Sequence, residues 1–292
     1  MHPLYNLLKP FASLLAHCEK EILSLRYRIA LGRRIEKVNP QSFYDKIFWL
    51  SCNTNTSVWS QLADKYLVRN YVSEKIGESY LPKLYGVYDT ADDIDFSQLP
   101  DKFVIKTNNG CASNILVKSK DCINEKEIRN KLAYWLNFPY GEVTGQRHYT
   151  RITPKIIAEE FLCQENDLGG TLIDYKFYCF NGKPMFCNVI SERVFNTHKF
   201  KRHMYDMDWK PLPHFFKSSQ FLQELEKPKT FEEMKRIAEV LSKGFQYVRV
   251  DLYEVNGQIK FGEMTFMPGL SMGWTEETQH LFGELIPLER DE

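Results

Sequence analysis

The feature that most constrains this chain is an apolar β-hairpin near its C-terminal end that carries ionisable residues in both arms. Residues 247–255 and 258–265 are rich in β-branched and aromatic residues and flank Asn256-Gly257, a strong signal for a two-residue turn. Side chains alternate along a strand, so the valines and leucine of the first arm share one face and leave Arg249 and Asp251 on the other. Charges on such a strand are costly to bury alone, so we expect both to have partners.

The second arm adds a carboxylate, Glu263, in an equally apolar setting. A strict two-residue turn pairs Asp251 with Gly262 and directs Glu263 to the opposite face, whereas one extra residue in the turn or a bulge pairs Asp251 with Glu263. We predict the extra residue, because only that register brings both carboxylates to one Mg²⁺ ion, which takes one or two protein carboxylates. A surface hairpin with ordinary charges is the alternative.

The composition excludes several kinds of protein. A length of 292 residues allows one large domain or two to three subdomains. The 38 Lys and Arg residues balance the 38 Asp and Glu residues, which argues against a nucleic-acid partner. Seven cysteines without a C-x-x-C pair indicate neither zinc site nor disulfide framework. Neither a spanning run of ~20 apolar residues nor a signal-peptide cleavage pattern is found, and we expect a soluble cytoplasmic protein.

A second hairpin is predicted from residues 103–118. One strand ends near Lys106, a turn of small residues containing Asn109-Gly110 follows, and a new strand begins near Asn114. Backbone N–H groups of such a turn can approach anionic phosphate oxygens while the lysine compensates their charge. The spacing is not that of a Walker A loop. The pattern predicts a phosphate-binding hairpin.

Two more strands carry charges. Residues 154–163 form a buried strand that ends in Glu159 and Glu160, and the strand that follows places Asp174 and Lys176 on one face. Exposed acids at a strand end are the alternative for the first strand. Arg193 lies beyond the next strand, where an acidic acceptor or a structural ion pair would equally explain it.

Helices are predicted in three regions and in a C-terminal segment at 274–288. Residues 1–37 form one or two amphipathic helices with a basic end, which either touch anionic lipid or dock on the domain. The region 42–77 is predicted to be helical in two stretches, 43–49 and 62–77, of which the second contains Asp64-Lys65 and stops at Gly77. Thr230 and Glu233 fit a capping box that opens a helix with a buried stripe at Phe231, Met234, Ile237, Ala238 and Leu241.

These motifs resemble those of a known protein family. Arg249-Val-Asp251, a hairpin, and Gly-Glu-x-Thr-x-x-Pro-Gly over residues 262–269 resemble the metal-binding strands of ATP-grasp ligases. The pattern from about residue 41 to residue 273 resembles the TupA-like branch, named for teichuronopeptide synthesis and known mainly from polysaccharide biosynthesis. Commoner ATP-grasp enzymes have Asn where this chain has Thr265, which bears on how tightly a second metal is held.

The resemblance implies an α+β ATP-grasp fold in which two α+β subdomains grip Mg·ATP. It implies a helical N-terminal region at residues 1–100, a small subdomain at 101–163 and a C-terminal subdomain at 164–292.

The same resemblance assigns roles to residues. Asp251 and Glu263 would hold Mg²⁺, while Lys176 and Arg249, with Asp174 beside them, would act on the transferring phosphoryl group and the substrate carboxylate. The resemblance assigns the phosphates of the nucleotide to the lysines and its adenine to residues 159–162. The implied nucleotide-binding residues are Lys65, Lys106, Asn109, Gly110, Glu159, Glu160, Leu162 and Lys176.

The implied reaction activates a carboxylate with ATP as an acylphosphate, which an amine then converts to an amide. The implied substrates are a uronic acid, free or in a glycan, and an amino acid or amino sugar. A glycosyltransferase that uses Asp206-x-Asp208 for a metal-bound nucleotide sugar is an alternative. A non-catalytic ATP-binding scaffold is another. Peripheral contact of residues 1–37 with the inner face of the membrane is a further alternative.

Overall fold

The computed structural model describes residues 9–15, 17–163, 172–193, 200–217, 224–270 and 273–288. Its helices are α1 (Ala12–Leu15), α2 (Glu19–Leu31), α3 (Phe43–Asn53), α4 (Ser57–Ala63), α5 (Val68–Ile76), α6 (Glu125–Leu136), α7 (Tyr140–Thr144), α8 (Arg147–Thr150), α9 (Phe231–Ser242) and α10 (Glu276–Glu284). Its strands are β1 (Leu84–Tyr88), β2 (Phe103–Thr107), β3 (Asn114–Val117), β4 (Ile156–Glu160), β5 (Asp174–Phe180), β6 (Lys183–Ser191), β7 (Lys201–Asp206), β8 (Tyr247–Val255) and β9 (Gln258–Thr265). Short 3-10 helices occupy Lys9–Phe11, Glu78–Tyr80, Phe96–Gln98, Lys120–Cys122 and Pro213–Phe215.

The chain forms two compact units. The first contains Met1–Arg26, Asn55–Tyr71 and Pro82–Phe161, and the second contains Tyr27–Thr54, Val72–Leu81 and Leu162–Glu292. The predicted helical region at 1–100 is therefore divided between the units, and its last part contains strand β1. Within the described ranges, no helix is both long and apolar enough to cross a membrane.

The first unit is built on a four-stranded antiparallel sheet of order β1-β4-β2-β3. Alternation along β2 directs Phe103 and Ile105 into a core that α6 closes with Ile128 and Leu132. The opposite alternation leaves Lys106 on the other face of the sheet. The predicted lysine hairpin and the predicted strand at 154–163 are confirmed by β2–β3 and β4.

The second unit is built on a five-stranded antiparallel sheet of order β7-β6-β5-β8-β9. One face is apolar, and Phe177 from β5 lies 5.7 Å from Phe231 of α9 between ring centroids. The predicted stripe of α9 is confirmed, because its five apolar residues Phe231, Met234, Ile237, Ala238 and Leu241 are fully buried. Burial of this stripe fixes which residues of β5 and β8 point to the other face.

The other face of this sheet changes character along its strands. At one end Tyr178, Phe180 and Tyr247 pack in an aromatic cluster with Phe43 of α3 and with Trp274 and Phe282 beside and within α10. At the other end the same face carries charged residues. The aromatic cluster thus covers half of the face and leaves the charged half to the candidate site.

The β8–β9 hairpin has the register predicted from the paired carboxylates. The turn at Asn256-Gly257 is a strict two-residue turn with φ of 52° and 74°, and Val255 faces Gln258. The extra residue is Gly262 on β9, which bulges opposite the step from Asp251 to Leu252, so that Asp251 pairs with Glu263 and Leu252 with Phe261. The prediction that both carboxylates share one face is confirmed.

Two local predictions need correction. Thr230 does not form a capping box, because its side chain makes no cap hydrogen bond and donates to Glu254 instead, while Glu233 accepts from the hydroxyl of Tyr80. The helix predicted over 62–77 is also interrupted, since α4 ends at Ala63 and α5 begins at Val68. Asp64 breaks the helix because its carboxylate accepts from the backbone N–H groups of Tyr66 and Leu67 at 2.8 and 3.1 Å.

We predict that Gly262→Ala destabilises the protein by about 1–3 kcal/mol, because overpacking at a fixed position has roughly that cost. A Cβ atom at Gly262 would lie 2.9 Å from the Tyr253 ring and 3.0 Å from the Asp251 carbonyl oxygen. Urea unfolding measures the change. Gly269→Ala is the matched control, since nothing lies within 4 Å of its added Cβ. Equal stability of the two variants would contradict the role of the bulge.

Candidate functional site

The charged half of the five-stranded sheet receives a polar residue from every strand. Residues that face each other across antiparallel strands point to the same side. One row across the sheet runs from Met204 through Asn188, Lys176 and Asp251 to Glu263. The neighbouring rows contain Arg202 with Asp174, and Arg249 with Thr265. We call this set, defined by Asp174, Lys176, Arg249, Asp251 and Glu263, the charged face.

Arg249 holds the charged face together. Its Nε and Nη2 atoms donate to the two carboxylate oxygens of Asp251 at 2.6 and 2.7 Å. The same Nη2 donates to Glu263 Oε1 at 2.8 Å and to Thr265 Oγ1 at 3.0 Å. This fork geometry is the one that guanidinium groups adopt with carboxylates. One nitrogen therefore brings an oxygen of Asp251 and an oxygen of Glu263 close to each other.

Lys176 extends the network to the next strand. Its ammonium donates to Asp251 Oδ2 and lies 3.8 Å from Asp174 Oδ1. Arg193 pairs with the other oxygen of Asp174, and its side chain is 42% exposed. Arg193 thus forms a structural ion pair with Asp174, and the exposed part of its side chain remains accessible to a ligand.

The pKa shifts show which charges this network favours. Burial acts to raise the pKa of Asp251, but Arg249 and Lys176 outweigh it and hold the pKa below its ordinary value. Burial acts to lower the pKa of Lys176, and Asp174 and Asp251 reverse that effect. The Asp174 carboxylate, followed by burial, raises the pKa of Tyr253 well above its ordinary value. At neutral pH the carboxylate, the ammonium and the phenol thus keep their usual forms.

The charged face supplies oxygen donors of the type that Mg²⁺ prefers. Asp251 and Glu263 face each other, and Thr265 Oγ1 lies 3.0 Å from Glu263 Oε1. The Glu263 side chain is 44% exposed, so a ligand can reach it. The described part of the chain contains no cluster of three or more His, Cys, Asp or Glu residues that could hold a metal. Mg²⁺ takes one or two protein carboxylates and completes its shell with phosphate and water oxygens, and Asp251 and Glu263 fit this pattern.

In the first unit the predicted phosphate and adenine residues contact each other. Lys106 on β2 donates to Glu159 Oε1 on β4, and Arg69 Nη1 lies 4.0 Å from Glu159 Oε2. Both side chains of the lysine–glutamate pair are largely buried. The neighbouring acid, Glu160, accepts instead from the backbone N–H of Lys83 at 3.0 Å. Leu162 lies two residues beyond the end of β4 and is the residue at which the chain enters the second unit.

Buried hydrogen bonds of Asn108 with Asp64, Thr153 and Lys155, which we call the latch, hold the turn after Lys106. Asn108 Nδ2 donates to Asp64 Oδ2 and to the Thr153 carbonyl, both at 3.0 Å. Its Oδ1 accepts from the Lys155 N–H at 2.7 Å. Burial raises the pKa of Asp64, opposed by its hydrogen bonds from the Tyr66 N–H, the Asn108 side chain and the Leu67 N–H. The latch thereby fixes the turn relative to the start of α5 and the approach to β4.

The other predicted residues of this turn take two different positions. Lys65 donates to the carbonyl of Gly110, so it lies against the turn. The side chain of Asn109 is buried and donates to the Leu136 carbonyl at 3.1 Å. This hydrogen bond ties the Asn109 side chain to the C-terminal end of α6.

The sequence did not identify Asp64, Asn108 or Arg202. Asp64 was noted only for its neighbour Lys65, and a buried amide has no sequence signature. For Arg202, the period-2 alternation of β7 was the available signal, but the strand's position in the sheet was unknown. Asp206, the alternative metal ligand, accepts from the N–H groups of Asp208 and Lys210 at 2.9 and 2.8 Å, which is the geometry of a turn-capping residue.

This chain is similar to several known proteins. The model of the family described as TupA-like ATPgrasp matches residues 45–287. No curated protein matches the sequence. Solved structures with a similar chain course include a D-alanine–D-alanine ligase from Bacillus anthracis complexed with ATP, with 14% identity and a TM-score of 0.49 over 79% of this chain and 65% of that chain. The D-alanine–D-alanine ligase from Helicobacter pylori has 12% identity and a TM-score of 0.47 over 85% and 67%.

A third solved structure, N5-carboxyaminoimidazole synthetase from Staphylococcus aureus, has 12% identity and a TM-score of 0.40 over 78% of this chain and 53% of that chain. This chain thus spans 65% of the length of the first of the three proteins and 53% of the last.

The lowered pKa of Asp251 predicts acid sensitivity. A carboxylate whose pKa is lower in the folded state stabilises fully above the unfolded value of about 3.9, and the contribution is lost as pH falls towards the folded value. Unfolding free energy of the wild type, measured from pH 6 to pH 3, should therefore fall more steeply than that of Asp251→Asn. That variant should also lose about 3–5 kcal/mol at pH 7, because Arg249 and Lys176 keep buried charges. Parallel curves would contradict the assignment.

Proposed function

The chain belongs to the TupA-like ATP-grasp family, and on that premise we propose that it is an ATP-dependent ligase that joins a carboxylate to an amine. The predicted family and the predicted α+β ATP-grasp fold are confirmed by this membership. The observation that carries the proposed reaction is the charged face, where two carboxylates and two cations converge from three adjacent strands.

The proposed roles follow from charge. Asp251 and Glu263 would hold Mg²⁺, which when bound would neutralise charge on the phosphates of ATP. Arg249 and Lys176 place two cations beside those carboxylates. They offset the negative charge that accumulates when a phosphoryl group approaches a substrate carboxylate. In the first unit Lys106, Lys65 and the backbone of the turn at Asn109-Gly110 are assigned to the phosphates, and Glu159, Glu160 and Leu162 to the adenine strand.

The proposed chemistry has two steps. A carboxylate oxygen attacks the γ-phosphorus of ATP, the bond to the bridging oxygen breaks, and ADP leaves. The amine nitrogen then attacks the acyl carbon, inorganic phosphate leaves, and the nitrogen loses a proton to give the amide. The protein needs little acid–base chemistry beyond removal of that proton, since positioning and charge compensation supply most of the acceleration.

The proposed substrates are a uronic acid, free or in a glycan, and an amino acid or amino sugar, in bacterial surface-polysaccharide biosynthesis. The family's setting supports this assignment. The seven free cysteines, none of them in a disulfide, agree with a reducing cytoplasm. On α2, Leu25 and Ile29 are exposed with Arg28 between them, and this face offers contact with the anionic inner surface of a membrane.

We predict ADP release that depends on Mg²⁺, a uronic acid and an amine together. Glu263→Gln should lower kcat at least about 100-fold, because metal ligation contributes several kcal/mol to the transition state. Asp206→Asn is the matched control, since its retained amide oxygen can still cap the turn. A coupled ADP assay over glucuronic and galacturonic acids with amino acids and glucosamine measures both.

A different outcome would favour the glycosyltransferase. Metal-dependent thermal stabilisation by UDP-sugars alone, together with loss of activity in Asp206→Asn and not in Glu263→Gln, would overturn the ligase. Stabilisation by Mg·ATP without ADP release for any pair would favour a non-catalytic nucleotide-binding protein.

A further inference from the structure

The turn at residues 108–113 offers backbone N–H groups to a ligand. In the described part of the chain, no residue accepts a hydrogen bond from the N–H groups of residues 109–112. Ala112 has a φ of 57°, in the left-handed region, and successive N–H groups in such a turn form a concave site for an anion. The site depends on the shape of the turn, because a hydrogen bond weakens steeply when its donor points away from the acceptor.

Two adjacent residues of another segment hold this turn. Asp64 Oδ2 accepts from Asn108 Nδ2 at 3.0 Å, and Lys65 donates to the carbonyl of Gly110. Asp64 Oδ1 accepts at the same time from two backbone N–H groups directly before α5. One carboxylate therefore joins the start of a helix to the turn, and all of these residues belong to the first unit.

The latch requires a hydrogen-bond acceptor at position 64. Asn108 Nδ2 donates to Asp64 and to the Thr153 carbonyl, and Asn108 Oδ1 accepts from the Lys155 N–H at 2.7 Å. These three bonds fix the orientation of the amide. Asp64 is 1% exposed and Asn108 is 0% exposed, so bulk water does not replace a lost partner. Loss of the acceptor would leave a buried N–H group unpaired.

We propose that Asp64 is a positioning residue for the nucleotide: through Asn108 it holds the turn in the shape that binds a phosphate, and it contacts no ligand itself. This role rests on the proposed function, which assigns the backbone of the turn to the phosphates. It deepens that assignment, because phosphate affinity then depends on a buried carboxylate outside the binding surface.

The test compares ligands that use different parts of the first unit. Asp64→Asn keeps an oxygen for the N–H groups before α5 but places a donor opposite Asn108 Nδ2. The Kd values of tripolyphosphate and of a non-hydrolysable ATP analogue, measured by isothermal titration calorimetry, should rise about 10-fold, as for other directly coupled groups. The Kd of adenosine should stay within about twofold of the wild type, because adenine is assigned to residues 159–162.

Asn124→Ala is the matched control. The Asn124 side chain accepts from the Glu127 N–H at 3.1 Å at the start of α6. This variant therefore destabilises a helix start in the same unit without removing a hydrogen bond of the turn. It should bind tripolyphosphate and adenosine like the wild type.

Two further variants test whether the effect passes through Asn108. Asn108→Ala removes the same hydrogen bond and leaves Asp64 to cap α5, so it should weaken tripolyphosphate and spare adenosine even if Asp64→Asn does not fold. The double variant Asp64→Asn with Asn108→Asp places donor and acceptor opposite each other again and should recover part of the lost affinity. Recovery is partial because the new carboxylate cannot donate to the Thr153 carbonyl.

Unchanged tripolyphosphate binding in both Asp64→Asn and Asn108→Ala would overturn the positioning role, as would equal weakening of tripolyphosphate and adenosine. The proposed ligase would survive either result. No binding of ATP analogue or tripolyphosphate by the wild type would contradict both the role and the ligase. Selective weakening of tripolyphosphate, in a wild type that releases no ADP for any carboxylate and amine, would support the role and contradict the ligase.

Discussion

The buried ion pair between Arg249 and Asp251 is the interaction on which the second unit depends. Both side chains are nearly inaccessible, and a lone charge in that position would destabilise the fold by several kcal/mol. The pair is satisfied only because β5 brings Lys176 to Asp251 and β9 brings Glu263 and Thr265 to Arg249. A single strand register therefore determines both how these strands pair and which ionisable side chains meet in the candidate site.

That register depends on a small irregularity. The Asn256-Gly257 turn alone would place Glu263 on the wrong face, and the bulge at Gly262 returns it to Asp251. The aromatic cluster then closes the remaining part of the same face, so the charged residues lie beside a packed wall and not in open solvent. A site of this kind keeps its charges fixed before any ligand arrives, which is the arrangement that favours electrostatic catalysis.

Local patterns in the sequence were sufficient for most of the fold. Strand alternation predicts β2, β4, β5 and β8, and the requirement that Asp251 and Glu263 share one ion predicts the bulge. The predicted capping box is wrong because the Thr230 hydroxyl is turned to donate to Glu254, a residue distant in sequence, and accepts no hydrogen bond from the helix. The latch between Asp64 and Asn108, and the approach of Arg202 to Phe200, could not be predicted either, because both depend on tertiary contacts between segments without periodic signatures.

Transfer of a labelled oxygen tests most directly whether the charged face activates a carboxylate. Glucuronic acid enriched with ¹⁸O in its carboxylate would be incubated with Mg·ATP and an amine, and the products would be analysed by mass spectrometry. Activation as an acylphosphate predicts one ¹⁸O atom in inorganic phosphate for each amide formed. Label in AMP, or phosphate without label while product accumulates, would contradict the account.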